Sequence, residues 1–441
     1  MGAYSPNGRS ITGDHNGAAL LITLFAFPEC TTAQTSSATF FTLHAFAGYP
    51  TDGFYLRSGV AIGPDGVLYG TTVEGGKLRS GGTAFSLTPP ASPEGAWTES
   101  IYSFRGGKRG ANPYGGLAID GAGVLYGTTA NGGISNGGTV FSLIPPSSPG
   151  GSWAETVIYT FKGGGDGGAP EAAVAIGSSG VLYGTTVGGG DSGNGTVFSL
   201  APPSPPARAW TESILYSFTG GSDGGTPASS LLIGSGGVLY GATSWGGTGT
   251  CVSDGIGCGT VFSLSPPASL GGSWTEKVLY SFGGSDGFSP SGPVTIGSGG
   301  VLYGTTTEGG PSGTGTVFSL TPPAHLGGAW AEAVLCGFGD STEGTFPVGG
   351  VVIGSGGVLF GTTKEGGGSN QGTVFSLTPP ASPGSPWTET VLYNFTGGSD
   401  GGEPLAGVAI DNSGVLYGTT EYGGIRKRRN SGCGTVFMLT P

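Results

Sequence analysis

Ten of the fifteen Lys and Arg residues fall in two kinds of loop, and cations gathered this way could hold an anionic polymer. They are Arg57, Lys77, Arg79, Arg105, Lys108, Arg109 and the run Arg426, Lys427, Arg428, Arg429. Arg offers a planar fork that matches carboxylate, sulfate or phosphate groups bidentately, and Lys adds a mobile point charge. Tyr422, Tyr55 and Tyr114 stand near them in sequence and would add stacking. The chain as a whole carries a net charge of −12, so this local excess runs against the average. Only 10% of its residues are charged, and the balance is acidic, which argues against general nucleic-acid binding. The partner that fits is an acidic polysaccharide or an anionic cell-surface component. The competing view is that surface loops simply tolerate charge.

Signals for catalysis are sparse. Of the three His, His15 lies in the leader and His325 in a Pro-rich loop. His44 stands where related segments carry Tyr102, Tyr159 or Tyr216, which suggests a packing residue. A copper site needs several imidazoles, and the chain does not supply them. Glu99, Glu155, Glu212, Glu276, Glu332 and Glu389 each follow a Trp by two residues. Equivalent copies of that kind suggest a structural device, a cross-strand pair or a backbone partner. Asp166, Asp223, Asp286 and Asp400 sit in Gly-x-Asp-Gly turns, where Asp can brace the local backbone. No Asp-x-Asp-x-Asp cluster supports calcium. Gly163-Gly-Gly-Asp-Gly-Gly168 fits a dinucleotide fingerprint only formally, because no helix follows it. The reading therefore assigns no catalytic residue, no metal and no cofactor. The runner-up, a polysaccharide lyase or hydrolase, would have to draw on scattered acids such as Asp52, Glu74 and Glu421. A purely structural envelope component is the third possibility.

There are five Cys. Cys251 and Cys258 flank a short insertion and suggest a local disulfide in an exported protein. Cys336 replaces a Tyr and reads as a buried small hydrophobe. Cys433 precedes Gly-Thr-Val-Phe as Cys258 does.

These residues are set in a repeat. Leu-Tyr-Gly recurs at Leu68, Leu125, Leu182, Leu239, Leu302, Leu359 (with Phe360 for Tyr) and Leu416, at intervals of 57, 57, 57, 63, 57 and 57 residues. The long interval is the cysteine insertion. Without periodicity, 97 Gly and 31 Pro in 441 residues would suggest disorder. Here they punctuate short apolar runs at fixed offsets. One unit reads as four strands: Gly349–Ile353, Val358–Thr363, Gly372–Thr378 and Trp387–Phe395, with alternate residues of the last on one face. Four antiparallel strands repeated seven times predict an all-β, seven-bladed β-propeller. The small residues of the first run suit an innermost strand around a central channel, lined by runs such as Gly115–Ile119, Ala172–Ile176 and Gly292–Ile296. Those runs offer no acid or base. Residues 40–46 match a fourth strand, and the last unit stops after its third. The amino-terminal strand is therefore expected to complete the last blade and remove an open edge.

The motifs Leu-Tyr-Gly-Thr-Thr-x-x-Gly-Gly, Gly-Thr-Val-Phe-Ser-Leu and Trp-Thr-Glu-x-Val-Leu-Tyr-Ser-Phe, across residues 38–441, resemble the GloVer tandem repeat of bacterial exported and surface proteins. A looser likeness is to kelch repeats. The resemblance implies an exported propeller, often tethered through a carboxy-terminal sorting signal that is not seen after the last repeat here. It carries no catalytic residues over to this chain.

Residues 17–27 form an apolar run too short to span a bilayer but suited to the core of a secretory signal, with small residues at Thr31–Ala33 for cleavage. Residues 1–36 are accordingly expected to be a leader that takes Cys30 with it, and residues 37–441 a single propeller. The loop after the second strand and the link between blades should emerge on one face. Blades seven, one and two are neighbours, so the cations should converge there. The expectation is a secreted or cell-surface, monomeric, non-enzymatic binding or scaffold module with no transmembrane span.

Overall fold

The structure, a computed structural model of the 441-residue chain, describes residues 30–33 and 37–441 apart from 93–94, 149, 205–207, 252–256, 270, 326, 340–341, 383 and 426–431. It is a seven-bladed β-propeller with four antiparallel strands in each blade. The first blade runs outward through Ala61–Ile62, Leu68–Thr72, Thr83–Thr88 and Thr98–Ser103. The sixth runs through Val352–Ile353, Leu359–Thr363, Thr373–Thr378 and Thr388–Asn394. The innermost strand is two residues long in every blade, as its small residues suggest. Short 3-10 turns are the only helical elements among the described residues.

Each part of the repeat motif has a packing reason. The Gly of Leu-Tyr-Gly faces the Phe of the third strand, and a Cβ on Gly361 would lie 2.6 Å from the Phe375 ring. Its absence is what lets that ring lie flat inside the blade. The second Thr of Leu-Tyr-Gly-Thr-Thr bonds a Thr on the third strand, as Thr363 does with Thr373 at 2.9 Å. The first Thr reaches into the next blade, as Thr362 Oγ1 donates to the Ala406 carbonyl at 2.8 Å. Between blades, the Phe ending each outer strand meets the next blade's core Phe edge-on. Phe104–Phe141 is 4.9 Å and Phe395–Phe437 is 5.3 Å between centroids. Such pairs prefer this geometry and add to the burial both rings gain.

Strict alternation along the fourth strand is broken. In the sixth blade Phe375 pairs with Val391 and Val374 with Tyr393, so Leu392 is a bulge. The first blade has no bulge, with Phe85 opposite Ile101 and Ala84 opposite Tyr102. Its segment is one residue shorter between Trp97 and Tyr102 than between Trp387 and Tyr393.

The ring closes through the amino-terminal strand. Thr39–Ala45 pairs antiparallel with Thr435–Thr440 as the outer strand of the seventh blade. The seam it forms repeats the Phe and Thr contacts of other seams: Phe46 meets Phe85 at 5.1 Å, and Thr419 Oγ1 donates to the Ser58 carbonyl at 2.8 Å.

Thr31–Ala33 adds a fifth, parallel strand outside the sixth blade, pairing with Thr388–Thr390. Next to it Cys30 is bonded to Cys336. This corrects the view of Cys336 as a thiol packed like a hydrophobe. It is fully buried, but it anchors the segment expected to be lost with the leader. Residues 1–29, which carry the apolar run, lie outside the described residues.

Candidate functional site

The link entering each blade and the loop after its second strand lie side by side. Gly53–Phe54 pairs with Glu74–Gly75 in the first blade, and Gly402 bridges Tyr422 in the seventh. Both loop types therefore share one face, as the strand count required. One non-glycine residue per link is held in the left-handed region, among them Tyr55 (φ 62°), Phe346 (φ 58°) and Glu403 (φ 52°). This conformation is costly for ordinary side chains and survives only where surroundings fix it. Here the carbonyl of that residue accepts from the amide just after the second strand, as Tyr55 O does from Val73 N at 2.9 Å. The backbone is thus standardised while the side chains differ.

The cations expected to act together separate into three groups. Lys77, Arg79, Arg105 and Lys108 are exposed. Their chain neighbours Leu78, Ser80, Gly106 and Gly107 line a shallow cavity of about 260 Å³ together with Asn112, Asn131 and Asn136. Arg109 is committed to Glu155, 3.0 Å away across the seam between the first two blades. Arg57 turns to the centre: its Nε donates to Glu421 Oε1 at 3.1 Å, and its guanidinium lies 5.7 Å over the Tyr114 ring. Tyr422 meets Tyr55 edge-on at 5.8 Å, one shell outside Arg57. Arg426, Lys427, Arg428 and Arg429 lie outside the described residues. Cys251 and Cys258 are bonded to each other, with a Cα–Cα distance of 5.4 Å.

The six Trp-associated glutamates are neither cross-strand pairs nor backbone partners. They point into the seams between blades, where Tyr102 donates to Glu155 Oε2 at 2.8 Å. The turn aspartates join the same seams. Asp166 accepts from Tyr159 (3.1 Å) and from the Lys162 amide (3.0 Å), so it braces its own turn as expected and holds the outer strand as well. Oε1 of five of them, Glu155, Glu212, Glu276, Glu332 and Glu389, is buried without a hydrogen-bond partner among the described residues. Burial, with an aspartate close by, pushes Glu276 up to about 7 and Glu332 up to about 8. Burial and nearby Glu343 push Glu389 up to about 8.

The closing seam is a variant of this arrangement. His44 takes the place of Tyr, with Nε2 3.6 Å from Asp52 Oδ2 and 3.2 Å from Glu99 Oε1. Burial opposes its charge, but the two carboxylates outweigh burial and push the imidazole up to about 9. The three side chains could ligate a metal in geometry alone. A metal would have to displace the proton of the raised imidazole, and the two carboxylates favour an internal ion pair with it. Cys30, Cys336 and Glu389 also converge, but their sulfurs are bonded to each other. Asp52 further accepts from the Ala47 and Gly53 amides, both at 2.6 Å. Of the acids an enzyme would have drawn on, Asp52 is spent here and Glu421 on Arg57, while Glu74 lies in the short Glu74–Gly75 strand.

The links of all seven blades surround a central cavity of about 440 Å³. The expectation of a channel without acid or base holds for its small-residue wall but not for its rim, where Arg57, Tyr114 and Glu171 stand. Burial raises the Glu171 carboxyl above its ordinary value, and Arg57 opposes that shift.

The Gloeobacter/Verrucomicrobia repeat model matches residues 23–253, 123–325 and 211–437, nearly the full length of the chain. The chain belongs to this repeat family. No curated protein matches it. Among solved structures, a putative 6-phosphogluconolactonase from Bacteroides uniformis is 16% identical, with a TM-score of 0.45 over 72% of this chain and 79% of that one. A putative oxidoreductase (glucose dehydrogenase) from Thermus thermophilus is 15% identical, with a TM-score of 0.38 over 91% of this chain and 100% of that one. The α-L-arabinanase of Penicillium chrysogenum, complexed with arabinobiose, is 13% identical, with a TM-score of 0.42 over 91% and 98%. Likenesses this distant carry no argument about chemistry.

Within the Gloeobacter/Verrucomicrobia repeat, Glu171 does not stand out by charge, because it belongs to no cluster of like residues. The signal was present in another form. Laying the seven units over one another shows the residue before the small pair Ser58-Gly59, and before each equivalent pair, to be different in every repeat. No helix among the described residues is long and apolar enough to cross a membrane.

Proposed function

We propose that the protein is an exported, non-enzymatic binding propeller that docks an anionic polymer, such as an acidic polysaccharide, on its loop face. The observation that carries this reading is the outer edge of the first two blades. Lys77, Arg79, Arg105 and Lys108 stand exposed around a cavity lined by three Asn side chains, and none of the four has an ion-pair partner among the described residues. Unpaired cations fit a chain that carries carboxylates, and the Asn side chains brace the loops beside them, as Asn112 Nδ2 does by donating to the Val73 and Ser80 carbonyls. Arg109 and Arg57 are not part of this surface, because each is engaged by a nearly buried carboxylate. Arg426, Lys427, Arg428 and Arg429 lie outside the described residues and enter this reading through the sequence alone.

Polygalacturonate binding tests this directly. Affinity should fall steeply with added salt, since exposed charges are screened within about 8 Å at physiological ionic strength. Replacing Lys77, Arg79, Arg105 and Lys108 together by Ala should weaken binding at least tenfold, and neutralising Arg426–Arg429 should weaken it further. An affinity indifferent to salt and to both sets of changes refutes the basic surface. Release of unsaturated or reducing ends from the polymer overturns the non-enzymatic assignment.

A further inference from the structure

The rim of the central channel is a second place where the repeats stop agreeing, and its chemistry differs from that of the basic edge. Behind the rim the wall is forced to be small. A Cβ on Gly115 would lie 2.5 Å from the Ala172 carbonyl carbon of the next blade, and one on Gly292 would lie 2.5 Å from the Gly350 amide. Neighbouring blades touch backbone to backbone at this collar, so only small residues fit there. The residue just ahead of each small pair escapes the constraint, since it faces the cavity.

Those free positions are sorted around the ring. Arg57, Tyr114 and Glu171 occupy three consecutive blades. On the sixth and seventh blades, which lead round the ring back to Arg57, stand Val348 and Leu405. Ala228 and Ser291 lie between, and Ser291 is bonded to Thr307 at 2.8 Å. The mouth therefore has one arc of hydrogen-bonding groups and one apolar arc. On the polar arc Arg57 is oriented twice over, by Glu421 and by the Tyr114 ring. With Nε engaged, its remaining N–H groups are left for a ligand. Glu171 is half-buried and makes no hydrogen bond or ion pair among the described residues. A carboxyl in that position needs donors from whatever fills the cavity.

We infer that this mouth binds one neutral sugar residue of a glycan, with its hydroxyls on Arg57, Tyr114 and Glu171 and a C–H face against Val348 and Leu405. The volume of about 440 Å³ lies in the range of small-ligand sites. A purely apolar ligand would leave Glu171 without donors. An anion would meet Glu171, and Glu421 already holds the one cation of the rim. A cation would meet Arg57. A polyhydroxylated ring with one C–H face satisfies both arcs. The inference does not depend on the basic edge, which uses different residues on a different part of the face.

Saturation-transfer NMR on the full chain, with cellobiose, maltose, lactose and xylobiose as neutral probes and digalacturonate as the anionic one, separates the two sites. At least one neutral disaccharide should show transfer at about 10 mM. That signal should weaken at least tenfold in Kd for Glu171→Ala and for Tyr114→Ala, with unchanged melting temperatures. It should be untouched when Lys77, Arg79, Arg105 and Lys108 are replaced. The inference is overturned if none of the four neutral probes binds, if binding ignores both rim substitutions, or if digalacturonate alone responds to them. Loss of polygalacturonate binding with neutral-sugar binding intact would remove the basic edge and leave the rim standing.

Discussion

Raising the pH should destabilise this protein through its seams, and Glu389 is the place to measure it. The carboxyl is 1% exposed. Its Oε1 has no hydrogen-bond partner among the described residues. Its Oε2 lies 3.9 and 4.0 Å from the Cys30 and Cys336 sulfurs, which carry no proton while bonded to each other. Burial first, and Glu343 second, push the group from 4.5 up to about 8. The folded chain therefore holds this proton where the unfolded chain has released it. Stability from this group is fully present below pH 4.5 and is lost as pH rises to about 8, beyond which the loss levels off. The shift corresponds to a ceiling of about 5 kcal/mol. Water entry at the seam would reduce that to a few kcal/mol. Glu389→Gln keeps the shape and removes the titration. Denaturant midpoints of both proteins, taken from pH 5 to 9 at constant ionic strength, should diverge in favour of Gln up to about pH 8 and then run parallel. A fixed offset at pH 5 is immaterial; the slope is the observable. Curves parallel over the whole range, or a gap that widens toward acid, would refute a protonated Glu389.

Two further perturbations test the architecture. Deleting residues 36–48 removes the outer strand of the seventh blade and Phe46 from the closing seam, and should lower the melting temperature by about 10 °C or more; an unchanged value refutes closure by this strand. Gly361→Ala places a methyl 2.6 Å from the Phe375 ring and should cost about 1–3 kcal/mol by chemical denaturation, whereas a neutral result would mean the ring can shift at no cost.

Architecture was legible because the same packing problem is solved seven times. Gly361, Phe375 and Thr363 recur at fixed offsets, and so did the position of the chain start relative to the last third strand. The bulge at Leu392 was not legible, because a single extra residue in a nine-residue run still alternates well enough to look regular. The seam role of Glu389 was hidden for another reason. Its partners come from a neighbouring blade, and Cys336 stands where other blades offer Tyr. The cationic set was visible as composition but not as geometry. Nothing in the sequence distinguishes Arg109, which reaches back to Glu155, from Lys108, which remains exposed.

The positions that join the blades and the positions that vary between units are separate in this repeat. The Phe pairs, Thr ladders and seam carboxyls join the blades, and they recur in nearly every unit. The links hold one backbone path, fixed by hydrogen bonds that involve no side chain, such as Val73 N to Tyr55 O. Most side chains along that path are then not needed to hold it, although Asn112 does donate to the Val73 and Ser80 carbonyls. That is why the left-handed position can carry Tyr55, Phe346 or Glu403, and the rim position Arg57, Glu171 or Leu405. Arg57 is the instructive exception. It has taken on a partner in Glu421, 4% exposed, which would be left buried and unpaired if Arg57 were truncated. Substitution at Glu171 or Tyr114 leaves no such orphan, so these are the rim positions where binding can change while the ring of blades stays intact.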